Sequence, residues 1–151
     1  MTVSFNHTIV YATDKQRSAE FLARIFGLPA PKPMWSFVTV SFENGVTLDF
    51  LGADGDITPQ HYAFLVSEEE FDQIFLRITA EHVPYWADPA RSRGQQINHN
   101  DGGRGIYFAD PDGHFLEAIT RPYGSGWSCP TALPPRPTRR SAPDVMPGSP
   151  G

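Results

Sequence analysis

The chain has 151 residues, 40% hydrophobic and 19% charged, and a net charge of −5. That length supports one domain with a real core, and the acidic balance argues against a protein built around nucleic acid. The single cysteine, Cys129, excludes an intramolecular disulfide framework.

Taken in chain order, Phe5–Tyr11 alternates and is β-branched, which predicts a strand. Thr13-Asp-Lys-Gln16 has the form of a capping box. Phe21, Leu22, Ile25 and Phe26 then fall on one helical face before Gly27. A short extended piece is expected near Pro33. Phe37–Phe42, the turn Glu43-Asn44-Gly45 and Val46–Leu51 predict a hairpin.

The same order then repeats. His61–Val66 predicts a strand, and Ser67-Glu-Glu-Glu70 a second capping box. Phe71, Ile74, Phe75 and Ile78 predict the buried stripe of a second helix. Val83–Trp86 predicts a short strand, and Arg91–Gly105 a polar loop. Ile106–Ala109, the turn Asp110-Pro-Asp-Gly113 and His114–Thr120 predict a closing hairpin. The order β-α-β-β-β therefore occurs twice, an internal duplication that predicts an α+β fold of paired units. These fill residues 1–125. From 126 to 151 the chain holds seven prolines and little periodic apolar pattern, and reads as a disordered tail. Cys129 lies there, away from any catalytic role.

Four polar residues stand where apolar ones belong. The first strand of each half carries His7 or His61, and the last carries Asp49 or Glu117. A carboxylate in an apolar strand is costly to bury unless it is paired, protonated or bound to a cation. Should the two sheets curve toward one another, these side chains converge. Two imidazoles and a carboxylate with open positions suit a divalent transition metal: the facial triad of non-haem iron, or related sets for zinc, nickel or manganese. His7, His61 and Glu117 are the candidate ligands. Asp49 fits a fourth ligand, a general base or a strand-edge surface residue. In the loop Asn98–Gly105, Arg104 is a candidate for holding an anionic group of a substrate. Trp35, Trp86 and Tyr62 either line a pocket or fill the core. His82 and His114 read as helix-end and turn residues.

From Phe5 to Thr120 the chain resembles the vicinal oxygen chelate superfamily, which includes glyoxalase I, fosfomycin-resistance thiol transferases, extradiol dioxygenases and bleomycin-binding proteins. The resemblance implies paired βαβββ modules forming cupped mixed sheets around a metal, with His7, His61 and Glu117 as ligands. Glyoxalase I has a glutamate at the place of Asp49. The stretch Ile97-Asn-His99 to Ile106-Tyr107-Phe-Ala-Asp110-Pro-Asp-Gly113-His-Phe-Leu-Glu117 is similar to the extradiol dioxygenase signature. It implies Fe(II), with Mn, Zn, Ni or Mg as other options, and a catechol-type substrate. It places His99 and Tyr107 near that substrate, with Asp49 or His99 taking an acid–base role. The fosfomycin-type transferases share the His-Tyr-Ala-Phe strand around His61 and the Asp-Pro-Asp-Gly-His turn. They differ at Ile9 and at Gly126, where a phosphonate-binding arginine is expected.

A small homodimer is implied, because in many relatives the two modules completing one metal site come from different subunits. The alternatives are a glyoxalase- or fosfomycin-type lyase, isomerase or thiol transferase, and a bleomycin-resistance-like binding protein. No apolar run approaches the roughly 20 residues that span a bilayer, and Met1–Asp14 lacks the pattern of a signal peptide. The sequence thus predicts a cytoplasmic protein with a small-molecule substrate and neither nucleic acid nor membrane as partner.

Overall fold

A computed structural model describes residues 2–126. The Pro-rich tail and Cys129 lie outside the described residues. Two β-α-β-β-β units follow one another. The first is β1 (His7–Ala12), α1 (Lys15–Phe26), β2 (Lys32–Met34), β3 (Phe37–Ser41) and β4 (Thr47–Gly52). The second is β5 (His61–Leu65), α2 (Glu68–Ala80), β6 (Tyr85–Trp86), β7 (Gly105–Ala109) and β8 (Phe115–Ile119). Each unit makes a four-stranded mixed sheet of the same topology, β1-β4-β3-β2 and β5-β8-β7-β6. The first strand lies parallel to the last in each, and the other pairs are antiparallel.

The second capping box forms as its sequence predicts. The Ser67 hydroxyl accepts from the Glu70 amide, and the Glu70 carboxylate accepts from the Ser67 amide. The first does not form. Asp14 is the N-cap of α1 and accepts from the Arg17 amide. The Thr13 hydroxyl is drawn instead to Asp112 of the second unit. At the other end, Gly27 takes the left-handed conformation (φ 67°) that closes the helix.

One core joins the two units. Leu22 and Ile25 of α1 and Ile74 and Ile78 of α2 pack with Val10, Val40 and Phe50 of the first sheet and Ile106, Phe108 and Leu116 of the second. Phe26 packs on both Phe64 and Phe108, with ring centroids 4.4 and 5.9 Å away. The turn between β7 and β8 adds a polar clasp. Asp112 accepts from the Thr13 amide (3.0 Å) and the Ser18 hydroxyl (2.8 Å) at the start of α1. His114, fully buried, accepts at Nδ1 from the Gln60 amide (3.0 Å). That acceptor role leaves its Nε2–H to donate to the Tyr11 carbonyl (2.7 Å). Residues read as turn residues in the sequence therefore bind the two halves together.

Because the core lies on the helical side of both sheets, the opposite faces are open. Ile9, Tyr11 and Leu65 are exposed there. The four-residue polar pattern noted in the sequence falls on these outward faces.

Candidate functional site

Strand register sorts the candidate residues before any side chain is considered. On the second sheet, His61 pairs with Phe115. One step along, Ala63, Glu117 and Tyr107 lie side by side, and Tyr107 pairs with Trp86 of β6. These residues share the outward face. On the first sheet, His7 pairs with Thr47, and Ile9 with Asp49, so Asp49 occupies the place that Glu117 holds on the second sheet.

The centre of the second face is Glu117, whose accessible surface is 0%. The Tyr123 hydroxyl donates to this carboxylate, lying 2.5 Å from each oxygen. The Tyr107 hydroxyl hydrogen-bonds Tyr123 at 2.9 Å. Burial, then the Glu117 and Tyr123 hydrogen bonds, push the Tyr107 phenol far above its ordinary range, so it stays protonated. Burial and Glu117 also raise Tyr123.

His61 approaches from β5 with Nε2 3.2 Å from a Glu117 oxygen. Its Nδ1 lies 2.9 Å from the Phe115 carbonyl, which can only accept, so Nδ1 carries the proton. Nε2 therefore faces a carboxylate at 3.2 Å, and a positive charge fits between them, either a proton on Nε2 or a bound cation. A divalent ion fits: two neighbouring ligands at ordinary metal–N and metal–O distances stand roughly 3.0–3.4 Å apart. The hydrogen bond from Nδ1 to a carbonyl is also the usual way of orienting a metal-binding imidazole.

The other predicted residues fall elsewhere. His7 is on the first sheet, and its Nδ1 is bonded to the Asn6 side chain at 2.7 Å. Among the described residues of one chain, no three His, Cys, Asp or Glu side chains come together as a metal site. The helices and core hold the two outward faces apart, so the expected convergence of His7 with His61 and Glu117 does not occur within a single chain. Asp49 lies on the His7 face and accepts a hydrogen bond from Thr39 at 2.9 Å.

Tyr62 alternates to the inner face of β5. It is half-buried beside Leu116 and edge-on to His114 at 5.8 Å, so it belongs to the core and not to the Glu117 face. Arg104 is also redirected. Its guanidinium bonds Glu68 (2.6 Å) and Asp72 (2.7 Å) of α2 and lies over the Phe71 ring. Its donors are engaged inside the fold, not offered to an anion. His99 is exposed at the start of a 3-10 turn (Asn100–Gly102), with no side-chain hydrogen bond among the described residues.

Tyr123, Phe115 and Arg91 carry no reading as site residues in the sequence, whereas Trp86 fits either a pocket or the core. Tyr123 follows the last strand, where no periodic signal points to it. It is placed because Asp101 accepts from the amides of Gly124 and Gly126, both at 3.2 Å. Phe115 and Trp86 complete the face, and Arg91 lies over both of their rings.

The family model for the glyoxalase/bleomycin resistance protein/dioxygenase superfamily matches residues 4–118. The chain belongs to this superfamily. The structure of oxidase ChaP-H2 superposes with a TM-score of 0.81 at 60% identity, covering 84% of this chain and all of the other. Oxidase ChaP-H1 gives 0.80 at 58% identity, covering 82% and 99%. Metallothiol transferase FosB of Lysinibacillus sphaericus is 32% identical over 128 residues, 80% of this chain and 84% of that protein. All three are named as enzymes, and the fold expected from the duplicated sequence pattern is the one found. Among the described residues, no helix is long and apolar enough to cross a membrane.

Proposed function

We propose that this protein is a divalent-metal-dependent oxidase with extradiol-dioxygenase-like chemistry on a small substrate bearing adjacent oxygens, and that Fe(II) is its metal. The observation that carries the reading is the fully buried Glu117 carboxylate with Nε2 of His61 3.2 Å away and Nδ1 of the same ring held by a backbone carbonyl. The likeness to two oxidases at 58% and 60% identity favours oxidation over the other reactions of the superfamily.

His61 and Glu117 would hold the ion, with His7 supplied by a second copy whose first sheet lies across this face. Such a homodimer also covers the exposed Ile9, Tyr11 and Leu65. The ion supplies a Lewis acid and, for iron, a one-electron redox centre. The chain's own residues do the rest. Glu117 contributes a fixed negative charge. Tyr107 donates to Tyr123 and Tyr123 to that carboxylate, a relay that fixes the carboxylate in place beside the ion. Asp49 arrives with His7 on the same face and is the acid–base candidate, with exposed His99 as the alternative.

The second reading is thiol transfer, supported by the 32% identical metallothiol transferase. One experiment separates them. Metal-stripped protein is titrated anaerobically with Fe(II) and Mn(II), then supplied with catechols in an oxygen electrode and, separately, with glutathione and fosfomycin. Oxygen uptake that needs Fe(II) and disappears in Glu117→Gln is the expected result. Thiol consumption without oxygen uptake selects the transferase, and absence of metal binding removes both.

A further inference from the structure

Next to His61 and Glu117 the outward face is aromatic. Phe115 and Tyr107 lie nearly parallel (22°) with centroids 5.5 Å apart. His61 continues the ladder, at 26° and 6.0 Å from Tyr107. Trp86 flanks Phe115 at 6.2 Å.

Over these rings lies one cation. The Arg91 guanidinium carbon is 4.7 Å from the Phe115 centroid and 5.1 Å from that of Trp86. Arg24, Arg93 and Arg104 each pair with a carboxylate, and Arg77 donates to the Ile25 carbonyl. Arg91 makes no side-chain hydrogen bond or ion pair that engages its donors within the described residues. A guanidinium held over aromatic rings by its carbon can still turn its N–H donors to a two-point contact with an anion.

Its backbone supports the same conclusion. Arg91 has φ +58°, a left-handed conformation that costs a residue with a side chain about 1 kcal/mol. The surrounding loop is built to hold it there. The Asp88 side chain accepts from the Ser92 amide (3.0 Å), the Ser92 hydroxyl (2.9 Å) and the Arg93 amide (2.8 Å). The Asp88 carbonyl accepts from the Arg91 amide itself. Backbone strain maintained by such a network, at a residue with unused donors beside a candidate centre, points to a ligand.

We propose that Trp86, Phe115 and Arg91 form a binding subsite for a planar aromatic ring carrying an acidic oxygen, a carboxylate or a phenolate. A ring along the ladder places its anionic substituent on Arg91 and its far edge toward His61 and Glu117. The subsite rests on the reading that reaction occurs at those two residues. It also assigns the anion-binding role, expected of Arg104 from the sequence, to Arg91 at the other end of the same loop.

The test uses the full chain, with and without Mn(II), titrated by calorimetry with naphthoate and with its neutral counterpart naphthylmethanol. Naphthoate binds wild type about tenfold more tightly than the alcohol, and Arg91→Gln removes that preference while leaving the alcohol within about twofold. Trp86→Leu weakens both. Mn(II) affinity, read by electron paramagnetic resonance, is unchanged in Arg91→Gln. Equal affinity for acid and alcohol in wild type, no binding of either, or an unaltered preference in Arg91→Gln overturns the subsite. Loss of Mn(II) binding in wild type overturns the metal reading instead, and the naphthoate preference still decides the subsite.

Discussion

The Glu117 carboxylate is tolerable in the interior because three groups address it. Tyr123 donates to it, Tyr107 supports Tyr123, and His61 Nε2 lies 3.2 Å away, where a positive charge fits between them. Removing the charge removes the reason for a cation. Glu117→Gln is expected to abolish Mn(II) binding in an electron paramagnetic resonance titration while far-ultraviolet circular dichroism stays native. Tyr123→Phe keeps the ring but not the donor, and an orienting partner of this kind typically changes metal affinity about 10–100-fold. Arg104 makes the opposite prediction. Its partners are Glu68, Asp72 and the Phe71 ring, so Arg104→Gln is expected to lower stability by about 1 kcal/mol in urea unfolding and leave KM unchanged. A rise in KM there would show that the guanidinium leaves its pocket to bind substrate.

At the scale of elements, the β7–β8 turn is also a capping device for a helix in the other unit. Burial works against the Asp112 charge, but the Thr13 and Ser18 hydrogen bonds outweigh it and hold the carboxyl below its ordinary range. A depressed carboxyl contributes stability that is present above its unfolded value and is lost as pH falls through its folded value. Asp112→Asn is therefore expected to cost about 1 kcal/mol at neutral pH, as loss of a helix cap does. The gap from wild type should close below the ordinary carboxylate range. Urea unfolding midpoints across that range check both the size and the direction.

At the scale of the whole molecule, one chain carries a partial set of candidate ligands on each of its two outward faces. His61 and Glu117 occupy one outward face, His7 and Asp49 the corresponding place on the other, and the core keeps the faces apart. If a second copy completes the site, His7→Ala and Glu117→Gln chains each fail alone. Mixing them before assembly restores about one quarter of the wild-type sites, since half the dimers are mixed and each has one intact site. Metal content and oxygen uptake of the mixture read this directly. No recovery would place all the ligands of a site within one chain.

The duplicated order of elements was legible because periods of 2 and 3.6 are local properties of the chain, and so was the capping box at Ser67. The His61 and Glu117 pair was also legible, as polar residues set into apolar strands. Three things were not. The inward turn of Tyr62 depends on which face of β5 meets the core. The engagement of Arg104 depends on α2 lying beside β7. The presence of Tyr123 at Glu117 depends on Asp101 gripping a segment that carries no periodic signal. The sequence by itself determined what each strand and helix is and which residues share its faces. Only the tertiary structure decided which face is buried, which arginine keeps its donors free, and that one chain cannot bring His7 to His61 and Glu117. Those outcomes are set by contacts between elements distant in the chain, and no local pattern encodes them.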